Sequence, residues 1–219
     1  MRSDRARRAH ASAGLLEAVT KACVVPVIVM IRPRAGGFCY TEQEYETALR
    51  DLKAALRFDV AGLAFGFLQP DGQIDHSRCE EFVKLAFGRE TVFHRAFDLV
   101  PEPLEALDTL IELGVTRVLT SGQGASALQG AELIASLRAH AAGRIEILPG
   151  GGIRAGNVSE VVRLTGCGQV HIGASAAQVD EVLASNSEIT FHNADYLDGG
   201  RHRTVDAQAV AAVVRELRQ

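Results

Sequence analysis

The chain has 219 residues, of which 47% are hydrophobic, and a formal net charge of −4 at pH 7. This length and composition allow one sizeable core and exclude a largely disordered chain or two separate domains. Because no extended basic face accompanies the small negative charge, strong nucleic-acid binding driven by counterion release is excluded.

The chain opens with an arginine-rich segment, residues 1–12, which the sequence predicts to be a disordered basic tail. No apolar stretch of signal-peptide length follows it. The longest apolar stretch, Val24 to Ile31, is far shorter than a membrane-spanning helix. We therefore expect residues 13–219 to form a single domain of a soluble, cytoplasmic protein without membrane partners.

Six short apolar segments recur along the chain at intervals that suit strand–helix units. They begin near Pro26, Val60, Thr91, Val115, Arg144 and Gln169. Such repetition predicts βα crossovers and therefore an α/β protein with a parallel sheet. Each segment ends in polar or glycine-rich residues, and in a parallel barrel these ends share the face that carries the chemistry.

The stretches between the strands carry helix signals. Thr41 and Glu44 form a capping box before an apolar stripe. Pro101 suits the first turn of a helix that Gly114 ends. Further predictions are a helix at Ala125–Ala142, one at Asn157–Leu164, one capped by Thr204, and an extended loop at Ile189–His202.

Four ordered motifs resemble the CutC family of copper homeostasis proteins. They are V-x-V-M-I-R-P-R-x-G-G-F-x-Y at Val27–Tyr40, F-H-R-A-F-D at Phe93–Asp98, L-T-S-G-Q at Leu119–Gln123 and P-G-G-G-I at Pro149–Ile153. The resemblance extends from about Ala13 to the end of the chain. It implies a TIM (βα)8-type barrel, in which the six predicted strands match the third to the eighth.

The family's usual opening, which ends in a G-A-D-R-I-E-L-C-like strand, is not found in this sequence. The expectation is therefore an incomplete barrel of about six βα units, with unpaired edges near Pro26–Arg32 and Gln169–Ser175. Such edges favour a homo-oligomer over a stable monomer. We hypothesise a misplaced start codon or a frameshift, which the upstream nucleotides in all three frames would test.

Arg32 and Arg34 lie two residues apart in an extended segment, so both guanidinium groups can leave the same side of the chain. Paired arginines suit a carboxylate or a phosphate. The alternative is salt bridging to acids at the start of the next helix, such as Glu42.

The densest polar cluster is His94, Arg95 and Asp98. If the strand continues that far, His94 and Asp98 share one side, and a histidine oriented by a carboxylate could act as general acid or base. Arg95 is a candidate for binding an anion. The alternative for His94 is a buried histidine bonded to the backbone.

The glycine run Gly150, Gly151 and Gly152 follows a strand and could cradle an anion with its amides. In TIM barrels the loops after the last two strands often hold phosphate, so His171 and Ser175 would complete this cradle. The alternative is that the glycines only form a tight turn.

Thr120 and Ser121 offer hydroxyl groups at the same strand ends. No G-x-S-x-G elbow surrounds Ser121, so these residues suit substrate binding better than nucleophilic attack.

Three functions remain open from the sequence. The resemblance implies a copper homeostasis protein with copper as its ligand, although Cu(I) prefers thiolate or thioether donors and the four cysteines are scattered: Cys23, Cys39, Cys79 and Cys167. The crowded strand ends instead suggest a TIM-barrel enzyme, of lyase, isomerase or hydrolase type, that acts on a small phosphorylated or anionic metabolite. The third possibility is that the chain is a nonfunctional fragment. The sequence does not decide whether the chain is an enzyme.

Overall fold

The computed structural model describes residues 11–185, 196–197 and 201–218. Five parallel strands form one sheet in sequence order: β1 (Ile28–Met30), β2 (Gly62–Phe65), β3 (Glu90–Phe93), β4 (Arg117–Thr120) and β5 (Glu146–Pro149). Each strand pairs in parallel with the next, as Val29 does with Leu63. The first five predicted strands are therefore confirmed, and the fold is an incomplete α/β barrel.

The predicted sixth strand is reduced to one parallel bridge between Gly150 and His171. The chain then leaves the parallel sheet, because β6 (Ser175–Val179) pairs antiparallel with β8 (Arg201–Val205), which also pairs with β7 (Tyr196–Leu197). A strand with a partner on only one side makes half the ladder hydrogen bonds, and this favours its early end. The prediction of a sixth parallel strand that carries Ser175 is therefore wrong.

Eight α-helices and one 3₁₀ helix lie among the described residues. They are α1 (Ala13–Ala22), α2 (Glu42–Ala55), α3 (His76–Leu85), the 3₁₀ helix (Arg95–Leu99), α4 (Pro103–Glu112), α5 (Ala131–Ala141), α6 (Ala155–Thr165), α7 (Glu181–Ala184) and α8 (Ala207–Glu216). The capping box before α2 is confirmed, since Glu44 N–H donates to Thr41 Oγ1 and Thr41 N–H donates to the Glu44 carboxylate.

Three helix boundaries differ from the predictions. Pro103, not Pro101, stands in the first turn of α4. Asp206 caps α8 through bonds from two backbone amides, whereas Thr204 lies within β8. The helix predicted from Ala125 begins only at α5, because turns occupy residues 122–130 and end at the N-cap Gly130.

The prediction of an extended loop at Ile189–His202 is wrong for those residues of the range that the structure describes. The pair 196–197 forms β7 and the pair 201–202 begins β8, while the rest of the range lies outside the described residues. Pairing of β7 with β8 supplies backbone hydrogen bonds that a search for hydrophobic periodicity does not detect. Most of the predicted basic tail, residues 1–10, also lies outside the described residues, and Ser12 caps α1.

The main core lies between the parallel sheet and the helices around it. The apolar stripe of α2 is buried there as predicted, and Cys79 of α3 is a small core residue. Phe65 and Phe82 stack with ring centroids 4.2 Å apart, and Phe67 and Phe93 pack around them. This aromatic layer fixes β2 and β3, and the candidate residues His94, Arg95 and Asp98 directly follow β3.

The inner face of the sheet carries a smaller cluster of Ala64, Val92 and Leu119. Three partly buried side chains pack against it: Ile28, Met30 and Leu148. These residues correspond to the interior layers of a closed barrel. Within the described ranges, no helix is both long and apolar enough to cross a bilayer.

Candidate functional site

Most of the predicted site residues lie at the carboxyl ends of the parallel strands. Arg32 and Arg34 follow β1, His94 to Asp98 follow β3, Thr120 and Ser121 end or follow β4, and Gly150 to Gly152 follow β5. Because neighbouring strands are parallel, these ends share one edge of the sheet. Within this edge the structure separates the side chains into two groups, one around Asp98 and one around His94.

The Asp98 carboxylate is fully engaged by surrounding donors. It accepts hydrogen bonds from Arg95 Nε at 2.6 Å, from Thr120 Oγ1 at 2.5 Å and from Ser121 N at 2.9 Å. Arg95 Nη2 also donates to Ser121 Oγ at 2.7 Å. Since the Asp98 side chain is only 9% exposed, its charge is balanced by this network. The network holds the 3₁₀ helix against the end of β4.

The His94 side chain is buried and held in one tautomer. Its residue is 3% exposed, and its Nδ1 accepts a hydrogen bond from Ala96 N at 3.2 Å. The neutral ring therefore carries its proton on Nε2. Burial and, second, the positive charge of Arg32 lower the pKa of His94 to about 3, so the ring is neutral near pH 7.

The structure does not join His94 to Asp98. The His94 Nδ1 atom is bonded to the backbone of Ala96, while the Asp98 oxygens are occupied by Arg95, Thr120 and Ser121. The predicted orientation of the histidine by this carboxylate is therefore wrong. The chain turns into the 3₁₀ helix directly after His94, and the alternation expected of a continued strand is lost.

The two arginines after β1 differ in their surroundings. Arg34 forms an ion pair with Glu44 at 2.5 Å and donates to the carbonyl groups of Gly37 and Cys39. Salt bridging to the next helix was the alternative, and the acid is Glu44 rather than Glu42. Arg32 donates through Nη2 to the Gly36 carbonyl at 2.7 Å, but its buried Nε has no hydrogen-bond partner within the described ranges. The two guanidinium groups therefore do not act as a pair.

The glycine run forms a turn that Arg95 approaches. Gly151 has a φ of 120° and Gly152 a φ of 70°, values that favour glycine. A Cβ atom on Gly151 would lie 3.4 Å from Arg95 Nη1 and 3.2 Å from Ser121 Cβ. This loop therefore approaches the Asp98 network closely, as a shared anion site requires.

The remaining predicted residues divide between two places. Gly150 N donates to the Thr120 carbonyl, and its bridge to His171 brings that histidine beside the glycine run. Ser175 instead begins the antiparallel β6, where it is exposed and accepts a bond from Arg203 Nη1 at 3.4 Å. The structure thus keeps His171 beside the predicted cradle, whereas Ser175 belongs to the small antiparallel sheet.

Sequence reasoning missed Tyr40 and Phe38 as candidate site residues. Phe38 packs 4.8 Å from the His94 ring, and the Arg32 guanidinium lies 4.9 Å from the Phe38 ring centroid. Tyr40 is 5% exposed, and its hydroxyl has no hydrogen-bond partner in the part of the chain that the structure describes. The available signal was an aromatic pair closely following two arginines and a glycine pair at the end of a strand.

Comparisons with known proteins agree with this architecture. Five parallel strands that pair in sequence order, with helices between them, are typical of a TIM-barrel-like protein. An aldolase structure that is 15% identical shares this fold, with a TM-score of 0.56 over 72% of this chain and 73% of its own. The family model described as "CutC family" matches residues 7–176. The chain belongs to the CutC family.

Named relatives match over most of this chain. A CutC family protein from Treponema denticola is 49% identical over 185 residues, which are 84% of this chain and 75% of that protein. The human copper homeostasis protein cutC homolog is 40% identical over 178 residues, or 81% of this chain. This chain spans 65% of the length of the human relative and of its mouse counterpart.

A solved family structure gives the same fold. The crystal structure of a CutC protein from Streptococcus agalactiae is 33% identical and has a TM-score of 0.71, with 74% of this chain and 81% of that chain covered. The family predicted from the four motifs is therefore confirmed.

Proposed function

We propose that this protein takes part in copper homeostasis in the cytoplasm. The observation that carries the proposal is its identity to relatives that are named for copper homeostasis, 40% to the human one and 41% to the mouse one. All four cysteines are free thiols, as a reducing compartment favours.

Copper tolerance tests this role directly. The chain is expressed in a bacterium whose own CutC gene is deleted, and growth is measured over a copper series. We expect restored copper tolerance relative to an empty vector, with growth in a zinc series unchanged as the control for general fitness. Equal copper sensitivity with and without the chain, at matched expression, contradicts the role.

The described residues do not fit a copper site of their own. They contain no group of three or more His, Cys, Asp or Glu side chains placed to hold a metal ion. Burial raises the pKa of the Cys79 thiol, which is fully buried, and also that of Cys167. Cu(I) prefers thiolates, which these two buried thiols do not supply. Direct copper ligation by Cys79 and Cys167 is therefore not part of the proposal.

A second candidate function is the binding or conversion of a small phosphorylated or anionic metabolite. The glycine turn favours it, because Gly151 and Gly152 allow close approach to the backbone and Gly151 lies against Arg95 and Ser121. Arg95 lies beside them with its guanidinium held by Asp98 and Ser121. A glycine-rich turn beside a positioned guanidinium suits the oxygens of a phosphate.

Thermal unfolding in inorganic phosphate tests this candidate. A hundredfold excess over the dissociation constant stabilises the folded chain by about 2.7 kcal/mol. We expect this increase to be lost in Arg95→Gln, measured relative to that variant's own melting temperature. Arg50→Gln, which removes an exposed arginine of α2, is the matched control and keeps the response. An equal response of all three proteins rejects the glycine turn as the site.

Homo-oligomer formation is proposed on separate grounds. Strand β1 lies at the edge of the described parallel sheet, and Val24 and Val25 just before it are exposed. Unpaired edges and exposed apolar side chains promote association. Light scattering coupled to size exclusion should give a mass above that of one chain, and a monomer at micromolar concentration contradicts this proposal.

A further inference from the structure

Three buried hydrogen-bonding atoms near the ends of β1 and β3 have no partner among the described residues. They are Arg32 Nε, Tyr40 Oη and His94 Nε2. Buried polar atoms are almost always paired, so an isolated one calls for an explanation, and here three occur together. His94 and Tyr40 are each at least nine-tenths buried.

The three atoms belong to one cluster. Phe38 contacts both flanking groups, since its ring lies 4.8 Å from the His94 ring and 4.9 Å from the Arg32 guanidinium carbon. Burial raises the pKa of Tyr40, and the charge of Arg32 and close contact with its side chain oppose part of that rise. The guanidinium therefore lies close to both Tyr40 and His94, although neither Tyr40 Oη nor His94 Nε2 has a hydrogen bond of ordinary geometry among the described residues. We call Arg32, Tyr40 and His94 the donor cluster.

Each of the three atoms is a hydrogen-bond donor. Arg32 Nε always carries a proton, and the Tyr40 hydroxyl is neutral at pH 7. His94 Nε2 carries its ring proton because Nδ1 accepts from Ala96 N. The cluster thus combines one positive charge with two neutral donors. A carboxylate, which has one negative charge and only acceptors, is its chemical complement.

We propose that Arg32, Tyr40 and His94 bind the carboxylate of a small organic acid beneath the ring of Phe38. This inference rests on the second candidate function in assigning the strand ends to an anionic ligand, and it adds the carboxylate and Tyr40. The site differs from the glycine turn, which is built from the Asp98 network and suits phosphate.

The segment that covers the cluster allows entry by movement of one side chain. The Phe38 carbonyl accepts a hydrogen bond from Leu68 N at 3.0 Å, and this bond fixes the backbone. The Phe38 side chain is only partly buried. A Cβ atom on Gly37, the residue before Phe38, would meet nothing within 4 Å. As part of the proposal, the Phe38 side chain rotates on this fixed backbone to give a ligand access to the donors.

The decisive comparison uses two tyrosines that both pack on Phe67. Their ring centroids lie 5.9 Å from it for Tyr40 and 5.2 Å for Tyr45. Tyr45 Oη donates to Glu81 Oε2 at 2.7 Å, whereas Tyr40 Oη has no hydrogen-bond partner among the described residues. Tyr40→Phe therefore removes a hydroxyl that is available to donate to a ligand. Tyr45→Phe instead removes a hydroxyl that is bonded to Glu81 within the protein.

Binding is measured by calorimetry and thermal unfolding with acetate, glycolate and malonate as carboxylate probes and inorganic phosphate as the comparison. We expect at least one carboxylate to stabilise the wild-type chain, and Tyr40→Phe to bind it about tenfold or more weakly, as loss of a bond to a charged group implies. Tyr45→Phe should bind it as the wild type does. His94→Asn, which can keep the acceptor for Ala96 N, should also weaken binding.

The outcomes separate this site from the glycine turn. The inference is overturned if none of the three carboxylates binds, or if Tyr40→Phe binds them as tightly as the wild type. A phosphate response that survives in Tyr40→Phe and is lost in Arg95→Gln supports the glycine turn on its own. The donor cluster is supported if Tyr40→Phe loses carboxylate binding and Arg95→Gln keeps it. This holds even if phosphate does not bind to the wild-type chain. If His94→Asn does not fold, the tyrosine pair decides.

Discussion

The Asp98 network and the donor cluster lie at the same end of the sheet but differ in how their polar atoms are satisfied. Asp98 receives bonds from a guanidinium, a hydroxyl and a backbone amide, so its charge is matched within the protein. In the donor cluster, Arg32 Nε, Tyr40 Oη and His94 Nε2 are buried without an acceptor among the residues that the structure describes. The F-H-R-A-F-D motif contributes to both regions, and the comparison assigns its aspartate to structure and its histidine to binding.

The largest expected effect of a substitution is at the satisfied region. Asp98→Asn replaces the carboxylate with an amide, whose NH₂ group meets donors from Arg95 and Thr120. We expect the free energy of unfolding to fall by about 3 kcal/mol, a value that allows for solvent screening of the partly exposed Arg95. Urea denaturation measures it. A loss below about 1 kcal/mol would mean that the network is not the structural support inferred from its geometry.

The second effect is a pH dependence that comes from His94. Its folded pKa of about 3 lies below the unfolded value near 6.5, so below that pH the unfolded chain takes up a proton that the folded chain does not. As the pH is lowered from about 6.5 to 4.5, this group alone should therefore reduce the free energy of unfolding by about 1.4 kcal/mol per pH unit.

The control for this pH dependence is His94→Asn, which removes the titrating ring. The wild type minus variant difference in unfolding free energy, measured by urea denaturation at several pH values, should reach about 2 to 3 kcal/mol by pH 4.5. Glu44 and Glu80, whose pKa values are lowered by partners, also lose stabilisation as the pH falls, but they do so equally in both proteins. Parallel curves would show that His94 is protonated in the folded chain.

The sequence predicted the parallel strands better than it predicted the donor cluster. Apolar segments with polar ends identified five parallel strands, because strand burial on both faces leaves a strong local signal. The donor cluster was only partly predicted: Arg32 and His94 were candidates, but Tyr40 and Phe38 were not. Whether a tyrosine hydroxyl finds an acceptor depends on contacts between distant segments, as Tyr45 does with Glu81 of α3. A local sequence pattern therefore cannot show that, among the described residues, Tyr45 has an acceptor for its hydroxyl and Tyr40 does not.

A smaller effect, of about 1 to 2 kcal/mol, should separate the two tyrosines in stability. Tyr45→Phe loses the bond to Glu81 and should unfold at lower urea concentration. Tyr40→Phe removes a buried hydroxyl that makes no bond, so its unfolding free energy should equal or exceed that of the wild type. Equal destabilisation of the two variants would show that Tyr40 has a partner within the protein, and the contrast between the two regions would fail.

The smallest expected effect is at Arg34, which the sequence paired with Arg32. Its ion pair with Glu44 is partly exposed, and an exposed pair contributes little because solvent screens it. Arg34→Lys keeps the charge but loses the planar guanidinium group that also donates to the Gly37 and Cys39 carbonyls. We therefore expect its free energy of unfolding, measured by urea denaturation, to fall by about 0.5 to 1 kcal/mol.

Carboxylate binding separates the two arginines. Arg34→Lys should bind the carboxylate as the wild type does, whereas Arg32→Lys, which lacks the Nε donor, should bind it more weakly. Equal binding losses in the two lysine variants would mean that both arginines contact the ligand, and the division between a structural and a binding arginine would have to be abandoned.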